Sequence, residues 1–448
     1  MNKNIKYLIL PLLFTLITSC SFGDKTGIWS GDKKEKERLA ELEKRANIEV
    51  VKLYTHENIY SKEVSSIKNS TLTQPKKNFS WEMSGLNLQN FRGNIFLPKI
   101  DNNFLKKKFG KNKFSISKIT SSPITFENYI IFADDTGTIF NINKKGKLNW
   151  KNNIYKKIYK KFYKNLTFAI YNDKIYVADN IGFIYVISLN NGKLIWIKKH
   201  GIPLKSRIKI FDNNIYLVNQ DNRLICLSAD DGYKIWDIRA VPSFIKTQNF
   251  LALAISKEGE LLVVNSAGDL IKVNAESGQI YWSLNTAISM LDQDTDFFES
   301  SDIIIDNDNI FFTTSSSIFS YSLIDGYLNW KEDIGSKNTP IIDGDNVFLI
   351  SDNGYFVNLD KKTGKIIWST NILKVLKKKK RMTEIAGFIM GSGKIYAISS
   401  NGYLIVSSAH SGKTEYFKKI GGTLTSAPII SDGSLYILTE NSRILGFN

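Results

Sequence analysis

A glycine followed four residues later by an aromatic residue recurs along most of this chain. Seven copies end at Trp150, Trp196, Trp236, Trp282, Trp330, Trp368 and Tyr416. The interval between successive aromatic residues ranges from 38 residues (Trp330 to Trp368) to 48 residues (Trp368 to Tyr416). A period of this length is typical of repeat architectures, in which each repeat is one supersecondary unit packed on its neighbours. The spacing therefore restricts the chain to a repeat fold.

Each repeat has the pattern of four short strands. In the unit that ends at Trp236, four β-forming stretches alternate with turns rich in Asp, Asn and Gly, at 207–211, 215–218, 224–227 and 234–236. Short β-rich stretches between such turns predict antiparallel hairpins. Four antiparallel strands in every 40–50 residues is the pattern of one propeller blade. Seven such units are present, so we predict an all-β propeller.

The C-terminal residues begin an eighth unit that lacks a strand. They supply three β-forming stretches, at 427–430, 435–438 and 443–447. A blade without its fourth strand would leave an open sheet edge. The sequence Asn-Phe-Ser-Trp ends at Trp81 with no repeat before it, so we expect residues 78–84 to complete this blade. The prediction is an eight-bladed β-propeller of four-stranded antiparallel blades over residues 51–448, its last blade closed by an N-terminal strand.

The repeated aromatic residues have a structural interpretation. A large aromatic side chain at one fixed place in every blade buries a large area against the neighbouring blade. We expect the turn before each tryptophan to accept a hydrogen bond from its indole N–H. The residues assigned to this blade latch are Trp81, Trp150, Trp196, Trp236, Trp282, Trp330, Trp368 and Tyr416.

Residues 1–19 have the features of a lipoprotein signal peptide. Two lysines precede an apolar stretch that is too short to span a membrane but suits a signal-peptide core. The stretch ends in Ile-Thr-Ser-Cys, which resembles a bacterial lipobox and predicts cleavage before Cys20 and acylation of that residue. Ser21 after the cysteine suggests sorting to the outer membrane, on its periplasmic face. The alternative is an ordinary signal peptide with an incidental cysteine.

Residues 20–50 are interpreted as an acylated tether. Leu39, Leu42 and Ala46 recur at helical spacing among Lys and Glu, so we predict a short amphipathic helix over residues 33–47. If Cys20 is acylated, one other cysteine remains, Cys226, and no intramolecular disulfide can form. We expect Cys226 to be a small buried hydrophobic residue.

The chain is basic, with 60 Lys and Arg against 43 Asp and Glu and a net charge of +17. Such an excess could favour anionic membranes or nucleic acid. Lys, Asn and Ile are abundant throughout, however, so a compositional origin is the simpler interpretation. Two basic stretches, 151–164 and 374–381, follow blade tryptophans. We interpret them as solvated connections near anionic lipid headgroups and predict no nucleic-acid partner.

The sequence carries no signature of catalysis. Its three histidines, His56, His200 and His410, are isolated and lack zinc-site spacing. It contains no phosphate-binding glycine loop and no nucleophile elbow. Residues 292–296 resemble a fragment of a calcium loop, but the required Gly and Glu are missing, so we interpret them as a solvated acidic loop. The prediction is a protein with no catalytic site, metal or cofactor.

The pattern Asp-x-x-Thr-Gly-x-x-x-Trp, complete at Asp360 to Trp368, resembles the repeat of quinoprotein-like eight-bladed propellers. In other copies the Asp position holds Ser188, Ser228, Asn274 and Ser322. The resemblance extends from about residue 78 to residue 448. Two families share this repeat: the quinoprotein alcohol dehydrogenases, which bind pyrroloquinoline quinone and calcium, and the outer-membrane assembly lipoprotein BamB, a scaffold. The lipobox, the tether, the single propeller and the lack of adjacent cysteines favour the BamB family.

Resemblance to BamB implies binding to POTRA domains of the barrel-forming subunit through connections between adjacent blades. The corresponding residues here follow Trp236 and Trp282; they are Phe244, Ile245, Lys246, Asp294, Asp296 and Glu299. Variable solvated loops are the alternative interpretation of these positions. The function implied is a non-catalytic scaffold, monomeric within a hetero-complex. The alternatives are a quinone-dependent dehydrogenase-like protein and an envelope propeller that binds carbohydrate or peptide outside barrel assembly.

Overall fold

The computed structural model describes residues 60–65, 70–114, 121–239, 251–286, 298–380 and 383–448, together with Glu37, Arg38 and Glu41. Those three single residues are helical; the remainder of the helix predicted over 33–47 lies outside the described residues, as do Cys20 and the signal peptide. Residues 59–448 form one compact unit. No helix in the described ranges is long and apolar enough to cross a membrane.

The compact unit consists of eight four-stranded antiparallel sheets. One strand precedes the repeats, β1 (Asn103–Lys108). Blade 1 contains β2 (Ile124–Phe126), β3 (Tyr129–Ala133), β4 (Ile139–Asn143) and β5 (Leu148–Asn152), and blade 2 contains β6 (Leu166–Tyr171), β7 (Lys174–Asp179), β8 (Phe183–Ser188) and β9 (Leu194–Lys199). Blade 3 contains β10 (Lys209–Phe211), β11 (Asn214–Val218), β12 (Arg223–Ser228) and β13 (Lys234–Arg239), and blade 4 contains β14 (Ala252–Ile255), β15 (Glu260–Val264), β16 (Asp269–Asn274) and β17 (Ile280–Asn285).

The second half of the ring follows the same order. Blade 5 contains β18 (Ile304–Asp306), β19 (Asn309–Thr313), β20 (Ile318–Ser322) and β21 (Leu328–Glu332), and blade 6 contains β22 (Ile341–Asp343), β23 (Asn346–Ile350), β24 (Tyr355–Asp360) and β25 (Ile366–Asn371). Blade 7 contains β26 (Ile385–Gly391), β27 (Lys394–Ser399), β28 (Tyr403–Ser408) and β29 (Thr414–Lys419), and blade 8 contains β30 (Ile429–Ser431), β31 (Ser434–Leu438) and β32 (Arg443–Phe447) together with β1. Two 3-10 helices, Lys157–Lys161 and Ile372–Lys380, lie in the connections after blades 1 and 6. The eight-bladed propeller is therefore confirmed.

Closure of the last blade by an N-terminal strand is also confirmed, but the strand is not the one expected. The order in blade 8 is β1-β32-β31-β30, with Lys106 opposite Leu445. The assignment of residues 78–84 to this strand was wrong. The backbone N–H and C=O of Trp81 instead pair with Thr125 of β2, at 2.8 and 3.0 Å. The strand-like sequence around Trp81 is extended, but it pairs at the axis of the propeller rather than at its rim.

The hydrophobic core lies between the blades. The first strands of neighbouring blades contact one another, so they surround the propeller axis, and the fourth strands form the rim. First, second and third strands are almost wholly buried, whereas most fourth strands consist mainly of exposed and half-buried residues. The fourth strand of blade 6, β25, is the exception and has no exposed residue. Most of the buried clusters join two adjacent blades: one joins blades 2 and 3, the next blades 3 and 4. Each blade is therefore stabilised chiefly by its neighbours, as expected of a repeat protein.

The repeated tryptophans reach across these boundaries. In five of them the indole N–H donates to a backbone carbonyl in the third turn of the following blade: Trp150 to Leu189 (2.9 Å), Trp196 to Ala229 (3.3 Å), Trp236 to Ala275 (3.1 Å), Trp282 to Ile324 (3.2 Å) and Trp330 to Lys361 (2.8 Å). The expectation that each tryptophan bonds to the turn before it was wrong. The ring extends sideways from the rim strand, so its polar edge meets the next blade.

The repeat glycine packs on the tryptophan of the preceding blade. Gly364 has a φ of +74°, and a Cβ at this position would lie 2.7 Å from Cδ2 and Cε3 of Trp330. The same relation links every repeat glycine from Gly192 to Gly412 to the tryptophan of the preceding blade. The glycine is thus required both by its left-handed backbone conformation and by the close approach of the ring.

The remaining aromatic residues of the predicted latch are arranged differently. Trp368 is fully buried, and its Nε1 donates to Oγ of Ser70, at 2.8 Å, because the chain before the propeller covers the boundary between blades 6 and 7. Val64 also pairs with Ser369 on the rim strand of blade 6. Tyr416 is 40% exposed on the rim of blade 7. Trp81 lies at the axis and belongs to a different feature of the molecule.

Candidate functional site

Residues 76–97 form what we call the plug segment, a stretch with turns at residues 84–89 that runs around the inside of the propeller. Starting at residue 78, it meets the blades in the order 8, 1, 2, 3, 4, 5, 6, 7. In that order the contacts are Asn78 with Asp432, Trp81 with Thr125, Glu82 with Ile170, Ser84 with Lys209, Leu88 with Ile255, Gln89 with Ile305, Gly93 beside Ile342, and Ile95 with Met390 and Ser392. One stretch of chain therefore contacts the first strand, or the turn after it, in every blade.

Hydrogen bonds from two buried side chains, those of Lys209 and Asn90, hold the plug segment against blades 3, 4 and 5. Lys209 of β10 is fully buried, and its Nζ donates to Ser84 O, Asn87 O and Asn90 Oδ1 at 3.1, 2.6 and 2.7 Å. The amide of Asn90 donates to Leu253 O and Ile303 O, at 3.0 and 2.7 Å. Burial lowers the pKa of Lys209 to about 7, with Asp302 opposing this shift and two arginines reinforcing it.

A cavity of about 420 Å³ lies at the centre of the propeller, against the plug segment. Trp81, Ser84, Gly85 and Arg92 line it from the plug segment. The rest of the lining comes from all eight blades, at or just before the first strand of each. The cavity is therefore bounded by the plug segment and surrounded by the inner strands and the connections that lead into them.

The charged groups around the cavity are arranged about one carboxylate, that of Asp302. Asp302 is buried and forms an ion pair with Arg207 at 2.8 Å. It also accepts a hydrogen bond from Thr339 at 3.2 Å and lies 4.0 Å from Arg92. Burial lowers the pKa of Arg92 to about 10, an effect that Asp302 opposes and Arg207 reinforces. Arg92 is thus still cationic at neutral pH. Cationic groups outnumber the single buried carboxylate.

Most of the residues expected to bind a partner lie outside the described residues. These are Phe244, Ile245, Lys246, Asp294 and Asp296. Glu299 is described, half-buried, and lines the same central cavity as Asp302. The described residues before each gap lie in or just after a rim strand, and those after each gap belong to the next blade at or just before its first strand.

The basic connection at residues 151–164 is partly built into the fold. Tyr155 is buried and its hydroxyl donates to Asp179 Oδ2 at 2.6 Å. Lys164 is also buried and donates to the carbonyls of Tyr159 and Phe162. The description of this stretch as a solvated connection is therefore wrong for these two side chains, which close the connection on itself. The second basic stretch begins in the 3-10 helix Ile372–Lys380.

The ionisable groups of the described ranges do not assemble into a metal centre. No group of three or more His, Cys, Asp and Glu side chains there could hold a metal ion. Cys226 is fully buried in β12, and burial raises the pKa of its thiol to about 11. The thiol is thus protonated at neutral pH and surrounded by the core of blades 3 and 4.

Sequence reasoning missed the plug segment and the cavity. The one signal that pointed to this stretch was a tryptophan outside the repeat, at Trp81. The segment has no repeat of its own, because each of its residues meets a different blade. Its contacts are mostly made by backbone groups, which leave no pattern in the sequence.

Known proteins resemble this chain in sequence and in fold. BamB from Moranella endobia is 22% identical over 302 residues, which cover 61% of this chain and 72% of that protein. The crystal structure of BamB from Moraxella catarrhalis superposes with a TM-score of 0.61 at 12% identity, over 78% of this chain and 97% of that one. A quinohemoprotein alcohol dehydrogenase from Pseudomonas putida HK5 gives a TM-score of 0.64 at 11% identity, over 83% and 80% of the two chains. At these identities the two structures establish the propeller fold alone.

The family assignment rests on a match to the sequence model described as outer membrane protein assembly factor BamB, which covers residues 135–370 of this chain. The matched stretch runs from the end of the second strand of blade 1 to the rim strand of blade 6. It contains the six glycine–tryptophan pairs of the repeat. Since the match covers more than half of the 448 residues, this chain belongs to the family of the outer membrane protein assembly factor BamB.

Proposed function

We propose that this chain is a non-catalytic scaffold of the machinery that assembles β-barrel proteins in the outer membrane. In this proposal, acylated Cys20 anchors it to the periplasmic face of that membrane. The connections after Trp236 and Trp282 bind the POTRA domains of the barrel-forming subunit. The observation that carries the proposal is the family match over residues 135–370, which includes the blades that flank both connections.

The exposed apolar residues of the rim support a role in protein binding. Exposed large apolar side chains concentrate on the outer strands and turns of blades 2 to 5: Leu194, Ile195, Ile197, Tyr233, Ile235, Ile280, Tyr281, Ile324, Tyr327 and Leu328. Neighbouring blades contribute to one surface, since Nζ of Lys198 in blade 2 lies 3.7 Å from the ring centroid of Tyr233 in blade 3. Exposed apolar side chains grouped in this way on neighbouring blades are typical of interaction sites.

The scaffold role can be tested by recovering partners from the native envelope. The intact lipoprotein, purified in detergent after crosslinking, should bring down the barrel-forming subunit, identified by mass spectrometry. Reversal of the two charges, Lys246→Glu with Glu299→Lys, should reduce this recovery, because charges at an interface steer partner association. Recovery of no barrel-assembly subunit would refute the function.

A matched control is available on the opposite side of the ring. Lys144 and Asp432 form an ion pair at 2.8 Å between blades 1 and 8. The double reversal Lys144→Glu with Asp432→Lys keeps the same number of charge changes and should leave recovery unchanged. Equal loss in both double variants would remove the assignment of Lys246 and Glu299 while leaving the family assignment intact.

The alternative of a quinone-dependent dehydrogenase draws on fold likeness alone. The described residues offer no cluster of carboxylates for calcium, and the one cysteine among them, Cys226, is buried away from the axis. Dye-linked alcohol oxidation by the purified chain supplied with the quinone and calcium would overturn the non-catalytic assignment.

A further inference from the structure

We propose that the central cavity binds a small anion through carboxylate or phosphate oxygens, held between Arg92 of the plug segment and Arg207 of blade 3. The inference concerns the axis of the propeller and does not depend on the proposed scaffold role. It rests on the charge balance of the cavity, on polar atoms left without partners, and on the chemistry of the lining.

The charges at the axis do not balance. Two arginines share one carboxylate, since Asp302 pairs with Arg207 at 2.8 Å and lies 4.0 Å from Arg92. Arg92 and Asp302 have side chains that are only 7% and 8% exposed. Burying a charge without a counter-charge is costly. An anion in the cavity would supply the counter-charge that the described residues lack at this point.

Two residues of the lining each contain a buried polar atom that has no hydrogen-bond partner. The two atoms are Nε of Arg92 and Oγ1 of Thr167, both with almost no exposed surface. Buried donors are nearly always paired, so an unpaired one calls for an explanation. Both residues line the same cavity, Arg92 from the plug segment and Thr167 from blade 2. A ligand rich in acceptor oxygens matches a guanidinium and a hydroxyl together.

The cavity suits a compact polar molecule rather than an apolar one or a cation. Its volume of about 420 Å³ falls in the range of small-ligand pockets. Seryl and threonyl hydroxyls of several blades line it beside the arginines. Glu299 and Lys337, the other charged residues of the lining, carry opposite charges and offset one another. Planar guanidinium groups bind carboxylate and phosphate oxygens in pairs, which lysine cannot do, so the arginines select the oxyanion class.

The position of Arg92 links the site to the plug segment. An anion bound to both arginines would join the plug segment to blade 3, next to the anchor that Lys209 already provides. Binding should therefore stabilise the closed ring, because any ligand bound by the folded state alone adds to its stability.

The test is equilibrium binding to the full chain in detergent, with inorganic phosphate and succinate as separate probes. Ionic strength is held constant with sodium chloride, so that general screening is the same in every sample. We expect saturable, one-site binding in calorimetry and a matching rise in the unfolding temperature. The tighter of the two probes identifies which oxyanion the site prefers.

Three variants distinguish this site from a merely structural arginine cluster. Arg207→Met should weaken binding roughly tenfold or more, since a hydrogen bond to a charged group is lost. Asp302→Asn should tighten binding, because it removes the competing carboxylate. Arg223→Met is the matched control: Arg223 also belongs to blade 3 and pairs with one aspartate, Asp237, at 2.9 Å, but does not line the cavity. Its affinity for the probes should equal that of the unmodified chain.

Circular dichroism establishes that each variant is folded before binding is measured. Failure of the folded, unmodified chain to bind either probe saturably would overturn the proposal. So would unchanged affinity in folded Arg207→Met and Asp302→Asn. If Arg207→Met does not fold, the direction of the change in Asp302→Asn decides, because weaker or unchanged binding there contradicts a competing carboxylate.

Discussion

The contact between a repeat glycine and the preceding tryptophan predicts a specific stability difference between two glycine variants. Gly364 has φ +74° and lies under Trp330, whereas Gly201 has φ +75° and no heavy atom within 4 Å of the point that a Cβ would occupy. Alanine at either site incurs the left-handed backbone cost of roughly 1–2 kcal/mol. Alanine at 364 also places a methyl group 2.7 Å from two ring carbons of Trp330, adding about 1–3 kcal/mol of overpacking.

The assay is urea unfolding followed by far-ultraviolet circular dichroism, which does not depend on tryptophan emission. Gly201→Ala should lower the free energy of unfolding by about 1–2 kcal/mol and Gly364→Ala by about 2–5 kcal/mol. Their difference isolates the contact with the ring, because the two backbone conformations are nearly the same.

A second substitution tests whether the indole ring of Trp330 causes the additional destabilisation in Gly364→Ala. In a Trp330→Leu background the crowding is relieved, so Gly364→Ala should cost about as much as Gly201→Ala does. Such a double-mutant cycle measures the coupling between two contacting residues. Equal destabilisation by Gly201→Ala and Gly364→Ala, or an unchanged cost of Gly364→Ala without Trp330, would refute the reasoning.

Three further predictions concern buried polar groups. The pKa of Lys209 is lowered from 10.5 to about 7 in the folded state, so the unfolded chain binds more protons between about pH 7 and 10.5. The free energy of unfolding should therefore rise with pH across this window by up to ~1.4 kcal/mol per unit, and Lys209→Met should flatten this slope in urea titrations. Ser70→Ala should destabilise by about 1–3 kcal/mol, because Oγ of Ser70 accepts from Trp368 and Asn358; the exposed Ser277→Ala is its control, and equal effects would contradict the prediction. Cys226 should resist iodoacetamide at pH 8 in the native chain and react in urea, as followed by peptide mass spectrometry, because burial raises its pKa to about 11; rapid native labelling would contradict its burial.

The sequence was sufficient for the blades because their determinants are local and repeated. Turn residues and alternating apolar residues set each hairpin, and a glycine and a tryptophan recur at the same place in every unit. The partner of each tryptophan was misassigned because the repeat spacing is the same for the turn before it and for the turn one blade later. Only the direction of the ring distinguishes them, and that direction follows from how the blades pack.

The closing strand and the central cavity were beyond the reach of sequence reasoning. The stretch Asn103–Lys108 ends in three consecutive lysines and carries a weaker strand pattern than the sequence around Trp81. Pairing with β32 nevertheless selects it, because the backbone of the Trp81 stretch is already used at the axis. The cavity depends on Arg92, Arg207 and Asp302, which are far apart in the sequence and meet only because the plug segment circles the ring.

The plug segment also constrains the order in which the chain can reach its native state. Its contacts reach the first strand, or the turn after it, in every blade, so they are complete only when all eight blades have formed. The rim strand Asn103–Lys108 likewise waits for β32, at the very end of the chain. Residues synthesised first are therefore placed last, through contacts of very large sequence separation, which are slow to form. Until the final blade has formed, residues 76–97 and 103–108 therefore lack some of their native contacts.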